Sequence, residues 1–194
     1  MASNNSPPKS VFLVGAGFIG LNVIEILLKA GYHVTALTRR KEHAAQIEAM
    51  GASTVSGSLE EQDLITAQAS IANVVIHTAT ADHIPSALAI LKGVQQRAGK
   101  GLETIYIHNS GTGVLNDGAA GQFKTDRIFK DDTRDDVDSV PDSNPHRNVD
   151  NAIVARQKEI GSGAKIAIMI PSLIYGCKPS HNNPPFPQSF GPPS

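Results

Sequence analysis

A glycine-rich junction between an apolar run and an amphipathic stretch constrains the fold of this chain more than any other feature. Residues 10–15, SVFLVG, have the continuous apolar character of a buried strand, and residues 18–30 carry apolar side chains at helical spacing. Gly15, Gly17 and Gly20 stand at the junction in the pattern G-x-G-x-x-G. The first glycine permits a tight turn, and the third lets a helix pack closely on a strand. The pattern therefore predicts a strand, a sharp turn and a helix.

The same alternation of apolar runs and amphipathic stretches continues to residue 176. Further strands are predicted at residues 33–39, 53–59, 73–80, 103–111 and 165–176, and helices at residues 42–50, 64–69, 85–98 and from residue 145 onward. Apolar strands that alternate with helices are typical of a parallel sheet covered on both faces. We therefore predict a doubly wound α/β fold, Rossmann-type with three αβα layers, in strand order 3-2-1-4-5-6.

Residues 116–145 lack this periodicity and are predicted to form a loop. The segment is rich in aspartate, which raises the question of a metal site. Its carboxylates alternate with Arg127, Lys130 and Arg134. Because a metal site needs a defined cage of ligands, we predict a solvated charged loop and no metal.

Composition and the chain ends set the predicted domain organisation. The chain has 194 residues, a formal net charge of −1 and 40% hydrophobic residues, which suits one globular domain and gives no reason to expect a nucleic-acid partner. We predict a disordered arm at residues 1–9, one domain at residues 10–176 and a disordered proline-rich tail at residues 177–194. The lone cysteine, Cys177, excludes an internal disulfide framework, and no apolar run is long enough for a membrane helix. These features predict a cytoplasmic protein.

The glycine-rich junction also predicts a ligand. Gly17 lets the backbone approach a pyrophosphate closely, and free N–H groups at the start of a helix favour an anion. We predict that a dinucleotide binds here, with contacts from Gly15, Gly17, Phe18, Ile19 and Gly20. A purely structural turn is the alternative, because glycines also end strands.

The end of the second predicted strand distinguishes between the two common dinucleotides. An NAD site usually has a carboxylate about 20 residues after the glycines, where it binds the ribose 2′-hydroxyl. That place holds Thr38, Arg39 and Arg40, with no carboxylate before Glu42. Because a guanidinium suits a 2′-phosphate, the sequence favours NADP(H) over NAD(H). The alternative is a pair of solvated arginines at a strand end.

Four short motifs together resemble the extended or atypical short-chain dehydrogenase/reductases, including their NAD-dependent epimerase/dehydratase branch. They are GAGFIG, HTAT after the fourth strand, NSGTGV after the fifth and IPSLIYG on the sixth, and the resemblance covers about residues 10–176. Ser58 stands where relatives tend to have an aspartate near the adenine. The resemblance implies a cofactor site lined by Ser58, Leu59, Thr78, Ala79 and Thr80, with Pro171 and Ser172 beside the nicotinamide. Packing at the sheet ends is the alternative role for these residues.

The resemblance also implies where chemistry would occur. Members of this family use a serine after the fifth strand and a Tyr-x-x-x-Lys pair on the next helix. The tyrosine moves a proton at the substrate oxygen, and the lysine lowers the pKa of the tyrosine. Ser110 matches the serine. The pair is absent, because no lysine stands four residues after Tyr32, Tyr106 or Tyr175.

His146 and Asp150 stand where that pair is expected. Being four residues apart, they are predicted to share one helical face. A histidine is a competent general acid or base near neutral pH, and a neighbouring carboxylate would orient it. We therefore take Ser110, His146 and Asp150 as the catalytic candidates. The alternative is that Asp150 pairs with His146 or Arg147 at a helix start and takes no part in catalysis.

Three functions remain open from the sequence. The first is an NADP(H)-dependent oxidoreductase or sugar-nucleotide epimerase of the short-chain type, acting on an unnamed substrate. The second is a non-catalytic dinucleotide-binding protein that senses redox state or serves a partner. The third is an inactive truncated relative, because family members continue beyond the IYG segment into a substrate-binding domain, and this chain becomes proline-rich after Lys178. A homodimer through the helices after the fourth and fifth strands is a further implication of the resemblance.

Overall fold

The computed structural model describes residues 9–119, 122–130, 132–172 and 174. Within these residues the chain forms strands and helices in regular alternation. The strands are β1 (Ser10–Val14), β2 (His33–Thr38), β3 (Ser53–Ser56), β4 (Val74–His77), β5 (Thr104–Asn109) and β6 (Ala164–Met169). The helices are α1 (Phe18–Lys29), α2 (Lys41–Ala49), α3 (Gln62–Ala69), α4 (Ile84–Ala98), α5 (Arg134–Asp138) and α6 (Arg147–Ile160), with short 3-10 helices at Thr112–Leu115 and Gly161–Gly163.

The strands form one parallel sheet in the order β3-β2-β1-β4-β5-β6. The predicted fold class and strand order are therefore confirmed. Val14, the last residue of β1, is in register with Leu37 of β2 on one side and with His77 of β4 on the other. The chain reverses its direction of winding between β1 and β4, and ligands of doubly wound sheets bind in the crevice at the carboxyl ends of such strands.

Two apolar cores cover the two faces of the sheet. Successive residues of β1 point to opposite faces, so Leu13 packs with Ile24 of α1 and Ile47 of α2 on one side. Val14 packs with Ile90 of α4 on the other side, in the core that α3, α4 and α6 close. Each of these side chains is fully buried, which is worth roughly 1.5–3 kcal/mol per residue. These cores hold the strand ends rigidly, and the loops at those ends form the site.

Every strand after β1 is shorter than its predicted span. The strands end at Thr38, Ser56, His77, Asn109 and Met169, so the polar residues that were predicted at strand ends lie in the loops just beyond. The charged segment predicted as a loop contains α5, whose first turn carries Asp135 and Asp136, as the helix dipole favours. The predicted arm, apart from Lys9, and the predicted tail lie outside the described residues, as do Tyr175 and Cys177.

No helix in the described ranges is both long enough and apolar enough to span a membrane.

Candidate functional site

The glycine loop after β1 is held tightly against the loop after β4. Gly15 has φ +103°, and a Cβ there would collide with the backbone of Ala79. A Cβ on Gly20 would collide with the carbonyl of Gly15, which accepts a 2.6 Å hydrogen bond from Thr78 Oγ1. Gly17 differs, because no atom lies within 4 Å of the place where its Cβ would be. The first and third glycines therefore close the turn, and the second leaves room beside it.

A cleft with a volume of about 380 Å³ opens beside Gly17, at the carboxyl ends of β1, β2, β3 and β4. It brings together nine of the residues predicted to contact a dinucleotide, namely Gly15, Gly17, Thr38, Arg39, Arg40, Ser58, Leu59, Thr78 and Ala79. Phe18, Ile19 and Gly20 form the first turn of α1, directly after Gly17. Thr80 follows Ala79 in the loop, and its Oγ1 accepts a 3.2 Å hydrogen bond from the Asp82 backbone. Pro171 and Ser172 lie past the end of β6, outside the lining of this cleft.

The wall of the cleft formed by Arg39 and Arg40 is cationic. Both side chains are exposed, and neither guanidinium has a hydrogen-bond or ion-pair partner among the residues that the structure describes. Glu60 also lines the cleft, and its Oε1 lies 3.2 Å from Nε2 of His83. The arginines are therefore available to an anionic group, whereas the Glu60 carboxylate already contacts His83.

His43 is a cleft residue that the sequence analysis missed. It lies in α2, three residues after Arg40, and its ring borders the cleft between Arg40 and the glycine loop. Burial lowers the pKa of His43, the nearby Arg40 lowers it further, and a hydrogen bond with the backbone of Ala16 opposes both effects. Its position in the first turn of the helix after β2 is the signal that could have identified it.

Ser110 and Asp150 form a buried pair at the carboxyl end of β5. Ser110 directly follows the strand, and its backbone N–H donates to the Met169 carbonyl at 2.8 Å. Its Oγ donates to Oδ2 of Asp150, in the first turn of α6, at 2.9 Å. Both residues are only 4% exposed. Burial raises the pKa of Asp150, and the Ser110 hydrogen bond acts against this shift.

His146 does not share a helical face with Asp150, which corrects the prediction. Helix α6 begins at Arg147, and His146 precedes it with a left-handed backbone, φ +69°. Nδ1 of His146 lies 2.7 Å from Oδ1 of Asp82, in the loop after β4. The four-residue spacing applies only within a helix, so it did not predict the partner of a residue in the preceding turn.

The His146 ring nevertheless lies beside Ser110. A Cβ added at Gly111 or Gly113 would come within 3.2 or 3.1 Å of His146 Nε2, so this nitrogen borders the turn that follows Ser110. The structure therefore brings Ser110, Asp150 and His146 around one turn, with Asp82 as an additional member. Asp82 is 64 residues from His146 in the chain, and no local pattern marks it.

Three buried aromatic side chains behind Ser110 were also missed as site residues. Nδ1 of His77 and Nδ1 of His108 are 3.2 Å apart, and the Tyr106 hydroxyl lies 3.4 Å from the latter nitrogen. Burial lowers the pKa of His77 to about 3 and that of His108 to about 4, and it raises the pKa of Tyr106. Tyr106 and His108 are two residues apart on β5, and this alternation is the signal that places them on one face.

A second cavity, of about 780 Å³, lies between α6 and β6. Asp150, Arg147 and Lys158 of α6 contribute its polar lining, and Ile166 and Ile168 of β6 contribute apolar lining. Asp150 thus separates this cavity from the Ser110 turn.

The comparisons with known proteins agree with a dinucleotide cleft. A family model described as NAD(P)H-binding matches residues 15–134. The relative called Oxidase ucsJ, from Acremonium sp, is 34% identical over 155 residues, which cover 75% of this chain and 44% of the relative.

Two solved structures have the same fold at low identity. Yeast Gre2, a methylglyoxal/isovaleraldehyde reductase complexed with NADPH, matches with a TM-score of 0.59 and 20% identity, over 86% of this chain and 58% of that one. UDP-glucose 4-epimerase from Thermotoga maritima, with UDP-glucose, matches with a TM-score of 0.58 and 16% identity, over 83% and 54%. The chain spans less than two thirds of each relative. By the family match over residues 15–134, this chain belongs to the NAD(P)H-binding family.

Proposed function

We propose that this chain acts as an NADP(H)-dependent oxidoreductase of the short-chain type, which interconverts a carbonyl compound and an alcohol and prefers NADP(H) to NAD(H). The observation that carries the proposal is the pair Arg39 and Arg40. Their guanidinium groups border the cleft and have no partner in the described ranges. An unpaired guanidinium beside a dinucleotide cleft suits a 2′-phosphate, which accepts charge-assisted hydrogen bonds.

The remainder of the cleft fits a dinucleotide whose 2′-phosphate lies beside Arg39 and Arg40. Gly17 has open space beside it, and the N-terminus of α1 carries no side-chain cap and no acidic residue in its first turn. Such a helix start favours an anionic pyrophosphate. Ser58 and Leu59 then lie at the far wall, where an adenine would be held. These residues would bind and orient the cofactor, which supplies or accepts a hydride at its nicotinamide.

The proton chemistry belongs to the turn that contains Ser110. In the proposed reaction the Ser110 hydroxyl binds the substrate oxygen and exchanges a proton with it. His146 Nε2 borders the same turn, and it is the second group that can take part in proton transfer there. The name of yeast Gre2 refers to small aldehydes, and we propose aldehydes or ketones as the substrate class for this chain as well.

A second candidate function is dinucleotide binding without catalysis. Tyr106 is fully buried and its hydroxyl faces His108, so it cannot take the place of the missing family tyrosine. On this interpretation the chain senses the NADP(H) redox state or serves a partner protein. Tight cofactor binding with no turnover on any substrate would favour it over the oxidoreductase.

Calorimetric titration of the purified chain with NADPH and with NADH tests the cofactor proposal. We expect NADPH to bind more tightly, and we expect the double substitution of Arg39 and Arg40 by alanine to remove most of that preference. Lys100→Ala, an exposed cation beyond the end of α4, is the matched control and should leave both affinities unchanged. Equal affinities for the two cofactors in the wild type would contradict the NADP(H) preference.

Turnover tests the catalytic proposal separately. NADPH consumption is followed with a panel of small aldehydes and ketones, and the best substrate is then used with Ser110→Ala. We expect the substitution to reduce kcat by about 100-fold or more, as for loss of a group that acts on a proton, with NADPH affinity retained. Unchanged kcat in the variant would exclude Ser110 from the reaction.

We also propose a homodimer that forms through α4 and α6. Leu88 of α4 is 37% exposed, which leaves apolar surface on that helix for a second copy. Sedimentation of the purified chain should give the mass of a dimer, and Leu88→Asp should shift it to the monomer. A monomeric wild type at high concentration would contradict this part.

A cytoplasmic location completes the proposal. It is supported by the lone Cys177, since extracellular proteins of this size commonly carry paired cysteines. Fractionation of cells that express the tagged chain should recover it with cytoplasmic markers, and recovery in a secretory fraction would contradict this location.

A further inference from the structure

A series of buried polar side chains runs from the middle of the sheet to Ser110. His77 on β4 contacts His108 on β5, with their Nδ1 atoms 3.2 Å apart, and the Tyr106 hydroxyl lies 3.4 Å from Nδ1 of His108. On the other side of the His108 ring, Nε2 lies 3.9 Å from Oδ1 of Asp150. Oδ2 of Asp150 in turn lies 2.9 Å from Ser110 Oγ. All five residues are at most 4% exposed.

The hydrogen-bonding capacity of these groups determines where the protons are. Burial raises the pKa of Tyr106, so its hydroxyl keeps its proton at neutral pH, and we assign the hydroxyl as donor and Nδ1 of His108 as acceptor in their 3.4 Å contact. Burial lowers the pKa of His108 to about 4, so this ring is neutral and carries its one proton on Nε2. His108 therefore presents an N–H donor to Oδ1 of Asp150.

The two facing atoms, Nε2 of His108 and Oδ1 of Asp150, are both buried without a hydrogen-bond partner in the part of the chain that the structure describes. A buried carboxylate with one bare oxygen is costly, and a neutral carboxyl group is much less so. The raised pKa of Asp150 has the same cause, namely burial. The pocket behind Ser110 therefore favours a carboxyl group that holds a proton and can release it.

Charged groups from three other places act on Asp150. His146, which precedes α6, and Arg147, its first residue, both lower the pKa of Asp150, whereas Asp82 in the loop after β4 raises it. The contacts of the Arg147 Nη2 are with other residues: it donates to the carbonyl of Asp138 at 3.3 Å and lies 3.8 Å from Oδ1 of Asp142. These contributions partly cancel, which leaves burial as the main influence on the carboxyl group.

We propose that Asp150 is a positioning residue that acts through Ser110, as the proton donor that restores the serine hydroxyl during reduction. The inference rests on the proposed oxidoreductase function. In that direction the carbonyl carbon gains a hydride, with its two electrons, from the reduced nicotinamide, which is thereby oxidised, and the C=O π bond breaks. The Ser110 O–H turns from Asp150 to the substrate, and the carbonyl oxygen takes its proton. Ser110 Oγ then takes the proton that Asp150 carries on Oδ2, the oxygen 2.9 Å away.

The carboxylate that remains after this transfer has a partner. Nε2–H of His108 faces Oδ1 at 3.9 Å, and a small approach of the two groups makes a hydrogen bond that stabilises the new charge. Asp150 also lines the 780 Å³ cavity between α6 and β6, and this cavity is the route by which we expect solvent to return the proton once product has left. This arrangement takes the role that a tyrosine and lysine pair has in relatives.

Infrared difference spectroscopy over a pH series tests the inference without a substrate. The wild type should show the C=O stretch of a carboxyl group that stays protonated above the ordinary pH range of aspartate, and this band should be missing in Asp150→Asn. In Ser110→Ala the same band should move, because its hydrogen bond is lost. Asp126→Asn, at an exposed position, is the matched control and should leave that band unchanged. If Asp150→Asn does not fold, the wild type compared with Ser110→Ala decides the question.

Cofactor binding by the same samples separates the two claims. A chain that binds NADPH but shows no protonated-carboxyl band overturns the role of Asp150 and leaves the proposed function standing. A chain that binds no dinucleotide overturns the proposed function and this inference together.

The pH profile of turnover gives a second readout, one that a merely structural role would not change. In the wild type, kcat for reduction should fall as the pH rises through the titration of Asp150. Asp150→Asn should lower kcat by about 100-fold or more and abolish that fall, with NADPH affinity unchanged. A variant that keeps the wild-type profile would overturn the inference.

Discussion

Oδ1 of Asp82 lies 2.7 Å from Nδ1 of His146, although 64 residues separate them in the chain. The contact joins the loop after β4 to the turn before α6. Because Nδ1 faces a carboxylate, it carries the ring proton, and Nε2 is the nitrogen presented to the turn at Gly111 and Gly113. Asp82 therefore determines how the His146 ring faces the site.

Removal of this carboxylate should affect activity more than stability. The side chain of Asp82 is 61% exposed, so Asp82→Ala should change the free energy of unfolding by less than about 1 kcal/mol. We expect a clear loss of kcat, because the His146 ring is no longer held. Urea unfolding and steady-state kinetics measure the two effects, with Asp126→Ala as the control. Full activity in the folded Asp82→Ala variant would show that activity does not depend on how Asp82 orients the His146 ring.

The left-handed backbone of His146 predicts an unusual order of stability. Its φ of +69° is strained for any residue with a Cβ, by roughly 1–2 kcal/mol, and glycine has no such strain. His146→Gly and His146→Ala both lose the contact with Asp82. We therefore expect the glycine variant to be the more stable of the two by about 1 kcal/mol, as measured by chemical denaturation. An alanine variant that is equally stable would show that the turn is not strained.

Two glycines of the same loop should respond in opposite ways to alanine. Gly15 has φ +103° and its Cβ would collide with the Ala79 backbone, so Gly15→Ala should destabilise the fold by more than about 1 kcal/mol. Gly17 has φ −77° and open space beside it, so Gly17→Ala should fold normally but bind NADPH more weakly. Thermal unfolding with and without NADPH measures both effects. Unchanged NADPH affinity in Gly17→Ala would show that the pyrophosphate does not lie against Gly17.

The buried histidines predict a loss of stability in acid. The pKa of His77 is lowered from 6.5 to about 3 and that of His108 from 6.5 to about 4. Below pH 6.5 these two histidines become protonated in the unfolded chain but stay neutral in the native chain. Stability is therefore full above pH 6.5 and is lost as the pH falls towards 4, by up to about 1.4 kcal/mol per pH unit for each ring. The raised pKa of Asp150 acts in the opposite direction and offsets part of this loss.

Urea unfolding at pH 7 and at pH 5 measures this dependence. His108→Gln should reduce the loss of stability between the two values by about half, since one of two buried rings is gone. His33→Gln, at an exposed position on β2, is the matched control. Equal stability of the wild type at both pH values would contradict neutral buried rings.

The fold could be predicted from the sequence because its signals are local and repeated. Continuous apolar runs such as β1 and β4 alternate with amphipathic helices, and G-x-G-x-x-G marks the turn between β1 and α1. The strand order followed from general rules for doubly wound sheets and is confirmed. The strand ends were placed too far along the chain, because polar residues such as Thr78 and Ser110 lie just past the last ladder partner.

The partners within the candidate site could not be predicted in the same way. His146 contacts Asp82 and Asp150 contacts Ser110, across 64 and 40 residues respectively. Spacing along a helix says nothing about such pairs, and it misled at His146 because α6 begins one residue later. The sequence predicted His108 only as part of an apolar strand. In the structure, burial lowers its pKa, and its Nε2 lies 3.9 Å from Oδ1 of Asp150.

The central claim is that the cleft beside Arg39 and Arg40 holds NADP(H), and thermal unfolding of the chain with each cofactor tests it most directly. At 100 times its Kd, a ligand adds about 2.7 kcal/mol to the free energy of unfolding, which is a readily measured shift of the midpoint. We predict a large shift with NADP⁺ and NADPH and a smaller one with NAD⁺ and NADH. A cooperative transition that none of the four cofactors moves would contradict the account.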